Sequence, residues 1–438
     1  MPKSKSMPKS SSMSDSRFMP NRFTRREILK YSGALAAGLG TATTPRATAA
    51  PSAAVESTEV ITSRPHLYHG WPTLARRANG ELLAVCSGGR EAHVCPFGRV
   101  ELMRSKDDGK TWSFPRVLID GPIDDRDAGV VETAKGSLLV TTFTSLAYEE
   151  RLNNALAAEP GDEAAWPAEK IQRWQATHDR VDAVQREVEL GSWMIRSTDG
   201  GRSWSAPYRC PVNSPHGPVQ LSDGRLLYAG KLFWYGRAGQ HQGRIGVCES
   251  ADDGQSWRWL AEIPARPGDN FNEYHELHAV EAADGGIIAH IRNHNKTNEK
   301  ETLQSESSDG GKTWSMPHSI GVWGYPSHLL RLRDDRLLMS YGHRRDPLGN
   351  QARVSEDHGR SWSAAMSISS DGTSTDFGYP STVELGDGSL LTVWYELMKS
   401  SAADLPHYNT RGRDEEWFKM TSMLAGSVLR QARWRIGG

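Results

Sequence analysis

SSDGGKTW, residues Ser307–Trp314, is one of five near-copies of a single octapeptide. The others are SKDDGKTW from Ser105, STDGGRSW from Ser197, SADDGQSW from Ser250 and SEDHGRSW from Ser355. The shared pattern is Ser-x-Asp-x-Gly-x-Ser/Thr-Trp, and an internal repeat of this kind decides architecture before any local propensity does. The Asp can accept bonds from the turn's own backbone N–H groups, Gly admits a positive φ, and Trp supplies a large flat surface for packing between sheets. Five copies spread through the chain make a poor single ligand site, so a structural turn is expected.

A second repeat interleaves with the first. Six segments read as strand, tight turn and apolar strand: GWPTLARRANGELLAV from Gly70, DAGVVETAKGSLLVT from Asp127, HGPVQLSDGRLLYAG from His216, HELHAVEAADGGIIAHI from His275, GYPSHLLRLRDDRLLMSY from Gly324 and GYPSTVELGDGSLLTVW from Gly378. Asn-Gly and Asp-Gly between apolar runs signal hairpins. A hairpin, a third strand, the octapeptide turn and a fourth strand make one unit. The expected fold is therefore all-β, a six-bladed β-propeller spanning residues 55–438, with the terminal strands completing the last blade together. Residues 145–190, rich in Ala, Glu, Gln and Arg with helically spaced Leu, Ile, Trp and Val, interrupt the second unit and predict a helical insertion beside the site.

The strand count also sets direction. Hairpin turns and octapeptide turns share one face, so the starts of the first strands and the ends of the second strands share the other, where side chains converge. The first ring is His69, Asp127, His216, Glu276, Tyr325 and Tyr379. The second is Arg90, Thr144, Lys231, Arg292, His343 with Arg344, and Glu396. The second ring is mostly cationic although the chain carries a formal charge of only −1, which suits an anionic ligand held by guanidinium forks. A structural charge network within the channel is the alternative.

Neutrality overall argues against nucleic acid, and the region after residue 50 has no apolar run long enough to span a bilayer. Residues 1–50 hold TRREILK (Thr24–Lys30), a weakly apolar stretch and small residues at Ala47–Ala49, the layout of a twin-arginine export signal, so a periplasmic or secreted protein is expected. Cys86, Cys95, Cys210 and Cys248 match no metal spacing, and disulfides are not required. Histidines are frequent on the site face, but none has the spacing of a helical metal site, so no metal and no cofactor are expected.

The repeated octapeptides resemble those of the sialidase (neuraminidase) superfamily from about residue 60 to the end. That resemblance implies a retaining exoglycosidase releasing a terminal acidic sugar, with a Tyr nucleophile activated by a Glu, an Asp acid/base and three arginines on the sugar carboxylate. Tyr379 in FGYPSTVEL stands at the start of the last inner strand, where the nucleophile belongs. Glu276 and Arg292 have the spacing of the activating Glu and a triad arginine, Arg90 ends the second strand of the first unit, and Glu396 matches a late glutamate. The chain departs from the family at His69-Gly70-Trp71-Pro72 and Trp323-Gly324-Tyr325-Pro326, where arginines are expected. The loop EAHVCPFG after Arg90 has no Asp, leaving His93 and Glu91 as its titratable residues and Asp127 as a substitute from the second unit.

The expected catalytic set is Tyr379, Glu276, Asp127 and His93. The expected substrate-binding set is Arg90, Arg292, Arg344, His69, His216, Tyr325, Lys231 and Glu396. The partner is a glycan or glycoconjugate with an acidic sugar, met by a monomeric chain. Two other readings stand beside hydrolysis: a propeller-type polysaccharide lyase in which Tyr or His takes the proton next to a uronate carboxylate, and a glycan-binding propeller without catalysis.

Overall fold

The computed structural model describes residues 50–64, 66–162, 164–232, 243–397 and 426–437. The expected export signal lies outside them. Among the described residues, apart from three short helices and one 3-10 turn, the regular structure is β, arranged as a propeller. Strands β1 (Ser52–Val60), β2 (Tyr68–Arg76), β3 (Leu82–Arg90), β4 (Arg99–Ser105) and β5 (Arg116–Ile119) are followed by β6 (Asp124–Glu132), β7 (Leu138–Ser145), β8 (Ser192–Ser197) and β9 (Tyr208–Arg209). Next come β10 (Val219–Gln220), β11 (Leu226–Lys231), β12 (Ile245–Ser250), β13 (Arg258–Glu262), β14 (Tyr274–Glu281), β15 (Ile287–Asn293), β16 (Glu301–Ser307) and β17 (His318–Trp323). The last are β18 (Ser327–Arg331), β19 (Leu337–His343), β20 (Gly349–Ser355), β21 (Met366–Ser367), β22 (Phe377–Glu384), β23 (Leu390–Leu397) and β24 (Ser427–Gly437).

The expectation of six separate blades is corrected. Four four-stranded blades stand alone, β6–β9, β10–β13, β14–β17 and β18–β21, and the remaining strands form one eight-stranded sheet in the order β22-β23-β24-β2-β3-β4-β5, with β1 on β24. The cause is β24. It pairs antiparallel with β23 along its length, takes β1 on its other side, and touches β2 in parallel through Ser427 and Tyr68, so first and last repeats merge. An edge that would otherwise carry unpaired N–H and C=O groups is thereby closed.

Second strands are buried on both faces because each blade is sandwiched by its neighbours, which is why they read as continuous apolar runs rather than alternating ones. Between two adjacent blades, Leu227, Ala229 and Val247 meet Leu277, Ala279, Ile287, Ile291 and Trp314. Each large side chain so buried contributes about 1.5–3 kcal/mol.

The octapeptides join third to fourth strands. In the first, Ser105 Oγ donates to Asp107 (2.8 Å), Asp107 accepts from the Thr111 N–H (2.9 Å) and hydroxyl (2.6 Å), and the Gly109 N–H closes on Ser105 (2.9 Å). The same Ser–Asp bond recurs at Ser197, Ser250, Ser307 and Ser355. Trp362 ties neighbouring sheets by donating to Gln304, and Trp112 donates to Gln431 across the merged eight-stranded sheet. The turn glycine is needed for space as well as φ: at Gly254 (φ +81°) a Cβ would lie 2.5 Å from Leu139. Gly254→Ala is expected to lower stability by about 1–3 kcal/mol, the cost of overpacking a filled core, and a thermal melt that matches the parent protein would refute the fit.

In place of the single helical insertion expected, three short helices, α1 (Tyr148–Ala157), α2 (Ala168–His178) and α3 (Ala183–Glu189), lie between β7 and β8. Tyr148, Leu152 and Trp174 pack with Cys95 and Ile123, and Arg173 and Trp174 both donate to Glu91. The helices thus brace the loop that follows β3. Among the described residues no helix is long and apolar enough to cross a membrane. All four cysteines are buried free thiols.

Candidate active site

Four inner strands break register near their starts: β2 between Tyr68 and Thr73, β6 between Arg126 and Gly129, β14 between Tyr274 and Leu277, and β22 between Gly378 and Ser381. Such bulges re-aim a side chain. At three of them a non-glycine residue sits in the left-handed region, Trp71 (φ +53°), Asp127 (φ +39°) and Tyr379 (φ +54°). Strain of about 1–3 kcal/mol at each is held by the surrounding sheet, and such strain concentrates at functional positions.

The centre is a three-residue contact. The Tyr379 hydroxyl donates to Glu276 Oε1 at 2.7 Å. Arg292 Nη1 donates to both Glu276 oxygens, at 2.9 and 2.7 Å, and to the Tyr379 oxygen at 2.9 Å. Burial would raise the Glu276 carboxyl, but the charge of Arg292 and the phenol's hydrogen bond outweigh it and hold it at about 2. Burial pushes the Tyr379 phenol well above its ordinary value, the Glu276 charge adds to that, and Arg292 opposes it. The resting pair is therefore a carboxylate and a neutral phenol, with a cation already bonded to the oxygen that would become phenolate.

Asp127 makes no hydrogen bond with the described residues. Burial and repulsion from Glu276 raise it to about 7, against the pull of Arg126, Arg90 and Arg292. A carboxyl that keeps its proton to neutrality suits a general acid.

Beside this pair lies a second cluster. Asp376 accepts from Tyr68 Oη (3.1 and 3.0 Å) and Tyr395 Oη (2.8 Å), and its Oδ1 lies 3.0 Å from His93 Nδ1. Burial would raise the Asp376 carboxyl, and these bonds bring it below its usual value. The His93 ring stands edge-on to Trp71, and Tyr395 contacts the Tyr379 ring at 5.7 Å between centroids. With Nδ1 on the carboxylate, Nε2 of His93 has no partner among the described residues, and the side chain is 43 % exposed.

The remaining expected residues divide. Tyr325 lies under Arg292 and Arg344, with guanidinium carbons 4.3 and 5.2 Å from its ring centre. Arg344 also reaches the Tyr379 ring at 6.0 Å and makes no ion pair among the described residues. Lys231 donates to the Asn272 carbonyl at 2.7 Å, and burial lowers its ammonium.

The others do not face the centre. Arg90 is fully buried and forked onto Asp124 at 2.6 and 3.0 Å, with further bonds to the Ala92 and His93 carbonyls, so it holds the loop after β3 and has no donor left for a ligand. His69 is bonded to the Ser427 carbonyl. His216 is packed with His278 and His328, ring centres 5.3 and 4.9 Å away. Glu396 accepts from Trp394 and Arg430.

Residue-by-residue reading missed Asp376 and Tyr395. Tyr395 was available from alternation, because neighbours on a strand face opposite ways and Glu396 occupies the other face. Asp376 carried no local signal, since its partners lie at positions 68, 93 and 395.

The chain is similar to several known proteins. A Bacteroides fragilis sialidase is 26 % identical over 234 residues, covering 50 % of this chain and 38 % of that protein, so the match spans well under half of the relative. A Dyadobacter fermentans protein of unknown function superposes with a TM-score of 0.64 at 21 % identity, over 88 % of this chain and 99 % of its own. The Hadza microbial sialidase Hz136 superposes at 0.54 and 17 % identity, over 83 % of this chain and 65 % of its own. At these identities the superpositions speak for the fold. Residues 139–392 match the BNR repeat-like domain, and the chain, with five such turns on a propeller of sialidase-like architecture, belongs to that family.

Proposed function

We propose that this protein is a retaining exoglycosidase that releases a terminal acidic sugar, sialic acid or a relative, through a covalent intermediate on Tyr379. One observation carries the reading: the Tyr379 phenol is bonded to the Glu276 carboxylate at 2.7 Å with Arg292 on both. A phenol is a weak nucleophile until a base takes its proton, and a neutral nucleophile avoids repulsion from an anionic sugar. Tyr nucleophiles are a known exception to the two-carboxylate scheme. The sialidase names of the relatives support the same reading.

The Tyr379 oxygen attacks the anomeric carbon as its proton passes to Glu276, and Asp127 protonates the departing glycosidic oxygen. Glu276 is too weak a base to hold that proton in the resting enzyme, so transfer accompanies C–O bond formation, with Arg292 stabilising charge on the oxygen. Water then attacks the glycosyl–Tyr379 carbon, Asp127 takes its proton, and Glu276 returns one to the phenolate. Arg344, over Tyr325 and Tyr379, is placed to meet the sugar carboxylate in the absence of a full arginine triad.

The test is a mechanism-based fluorinated glycosyl fluoride of an acidic sugar, followed by peptide mass spectrometry. Label on the peptide containing Tyr379 is the expected result; label elsewhere, or turnover of the sugar without any trapped adduct, argues against the nucleophile.

A second reading, β-elimination from a uronate, draws on the His93–Asp376 pair, which resembles a general base and its orienting carboxylate. It requires a product lighter than the hydrolysis product by one water and carrying the short-wavelength ultraviolet absorption of a conjugated unsaturated uronate.

A further inference from the structure

We propose that Glu273, His275 and His294 form a binding site for one divalent transition-metal ion, of the zinc or cobalt type, beside Tyr325. One ligand atom from each residue lies within 4.8 Å of the other two. A tetrahedral ion with bonds of about 2.1 Å separates its ligands by about 3.4 Å, so side-chain rotation alone brings the three together. Sequence spacing concealed the site, because its members come from a 3-10 turn, the start of β14 and the segment just after β15.

The backbone is built to hold those segments together. The turn Phe271–Glu273 is capped by Asn270, whose side chain accepts from the Asn272 N–H. The His294 N–H donates to the Glu273 carbonyl at 2.9 Å, and the Asn270 N–H donates to Asn295 Oδ1 at 2.8 Å. The His275 and His294 rings are 4.7 Å apart. The Glu273 carboxylate makes no hydrogen bond or ion pair with the described residues and is half-buried.

The charges around the trio are mixed. Glu273 and Glu276 favour a cation; Lys231 and Arg292 oppose it. Two histidines and one carboxylate leave coordination positions open, and borderline ions prefer such nitrogen and oxygen donors to the all-oxygen sets of calcium or magnesium. His294 lies 5.4 Å from Tyr325, which stands where the resembling family would place an arginine. An ion there would offer a sugar carboxylate or hydroxyl the positive charge that the missing arginine does not.

Binding would also act on the reaction centre. Arg292 Nε donates to His294 Nε2 at 2.9 Å. A neutral imidazole has one lone pair, so whichever nitrogen takes the metal, Arg292 loses this acceptor. Metal occupancy and the present orientation of Arg292 are therefore coupled.

The experiment uses untagged protein stripped with chelator and titrated calorimetrically with zinc chloride, then with cobalt chloride while visible absorption is recorded. One ion per chain is expected, with a cobalt spectrum of low coordination number and a melting temperature raised by the ion. Glu273→Gln and His275→Asn are each expected to weaken binding by about tenfold or more. His318→Ala, on an exposed histidine elsewhere, should leave it unchanged. Absence of saturable binding, or binding indifferent to both site variants while they remain folded by circular dichroism, overturns the proposal. These readouts require no turnover, so they stand or fall separately from the hydrolytic reading.

Discussion

Replacing Tyr379 by Phe should leave a folded protein that has lost hydrolysis by a factor on the order of 10⁴ or more, the scale on which deletion of a covalent nucleophile acts. The ring, its contact with Tyr395 and its place over the bulge are retained, so packing changes little. Only the oxygen that bonds Glu276 and Arg292 goes. Those two remain paired through the second carboxylate oxygen at 2.7 Å, and no buried charge is orphaned. The effect should therefore fall on kcat, with the melting temperature and binding of an acidic sugar nearly unchanged. A Tyr379→Phe protein that still hydrolyses its substrate at the parent rate removes the phenol from the mechanism. One that also loses ligand binding makes Tyr379 a recognition group instead.

Asp127→Asn should separate acid catalysis from the covalent step. With Asp127 at about 7, the acid form is the active one, so kcat/KM should fall as pH rises above about 7 in the parent enzyme. The variant should lose about 10²–10⁴-fold on glycosides with a poor leaving group, and far less on aryl glycosides whose leaving group needs no proton, while its alkaline limb disappears. His93→Gln in the same assay asks whether the Asp376-held imidazole shares the task. If His93→Gln is the variant rescued by a good leaving group and Asp127→Asn is not, the acid is His93. Stability offers an independent readout. A carboxyl raised from its ordinary value near 4 to about 7 contributes stability at pH below about 4 that is lost as pH climbs through about 7. Asp127→Asn should therefore melt higher than the parent at pH 8, with the difference closing toward pH 5.

The repeat reading carried most of the way to the centre. Knowing that hairpin turns and octapeptides share a face was enough to put Tyr379, Glu276 and Arg292 together, though they lie up to 103 residues apart. It failed where side chains had to be assigned partners. Arg90 looked like an open cation because sequence shows its charge and not Asp124, which meets it from the next sheet 34 residues on. Glu396 is bonded to Trp394 and Arg430 while its neighbour Tyr395 meets Asp376; the end of a strand is legible only to within a residue, and one residue reverses the face. Asp376 carried no signal for a simpler reason: its partners Tyr68, His93 and Tyr395 come from three other segments, and nothing local to residue 376 points to them.

What the chain determines by itself is local. Ser-x-Asp-x-Gly turns satisfy their own backbone, Asp-Gly and Asn-Gly set hairpins, and apolar pairs specify strands buried on both sides, so an all-β repeat fold and its functional face follow without any tertiary information. What only the tertiary structure decided is non-local. The merging of first and last repeats into one sheet depends on Ser427 reaching Tyr68, and the aim of Trp71, Asp127 and Tyr379 depends on bulges whose strain the neighbouring strands hold in place. Which cations remain free for a substrate depends on which carboxylates fold against them. Hydrogen bonds within a turn are settled over a few residues, whereas the pairing of buried charges is settled only when the ring closes.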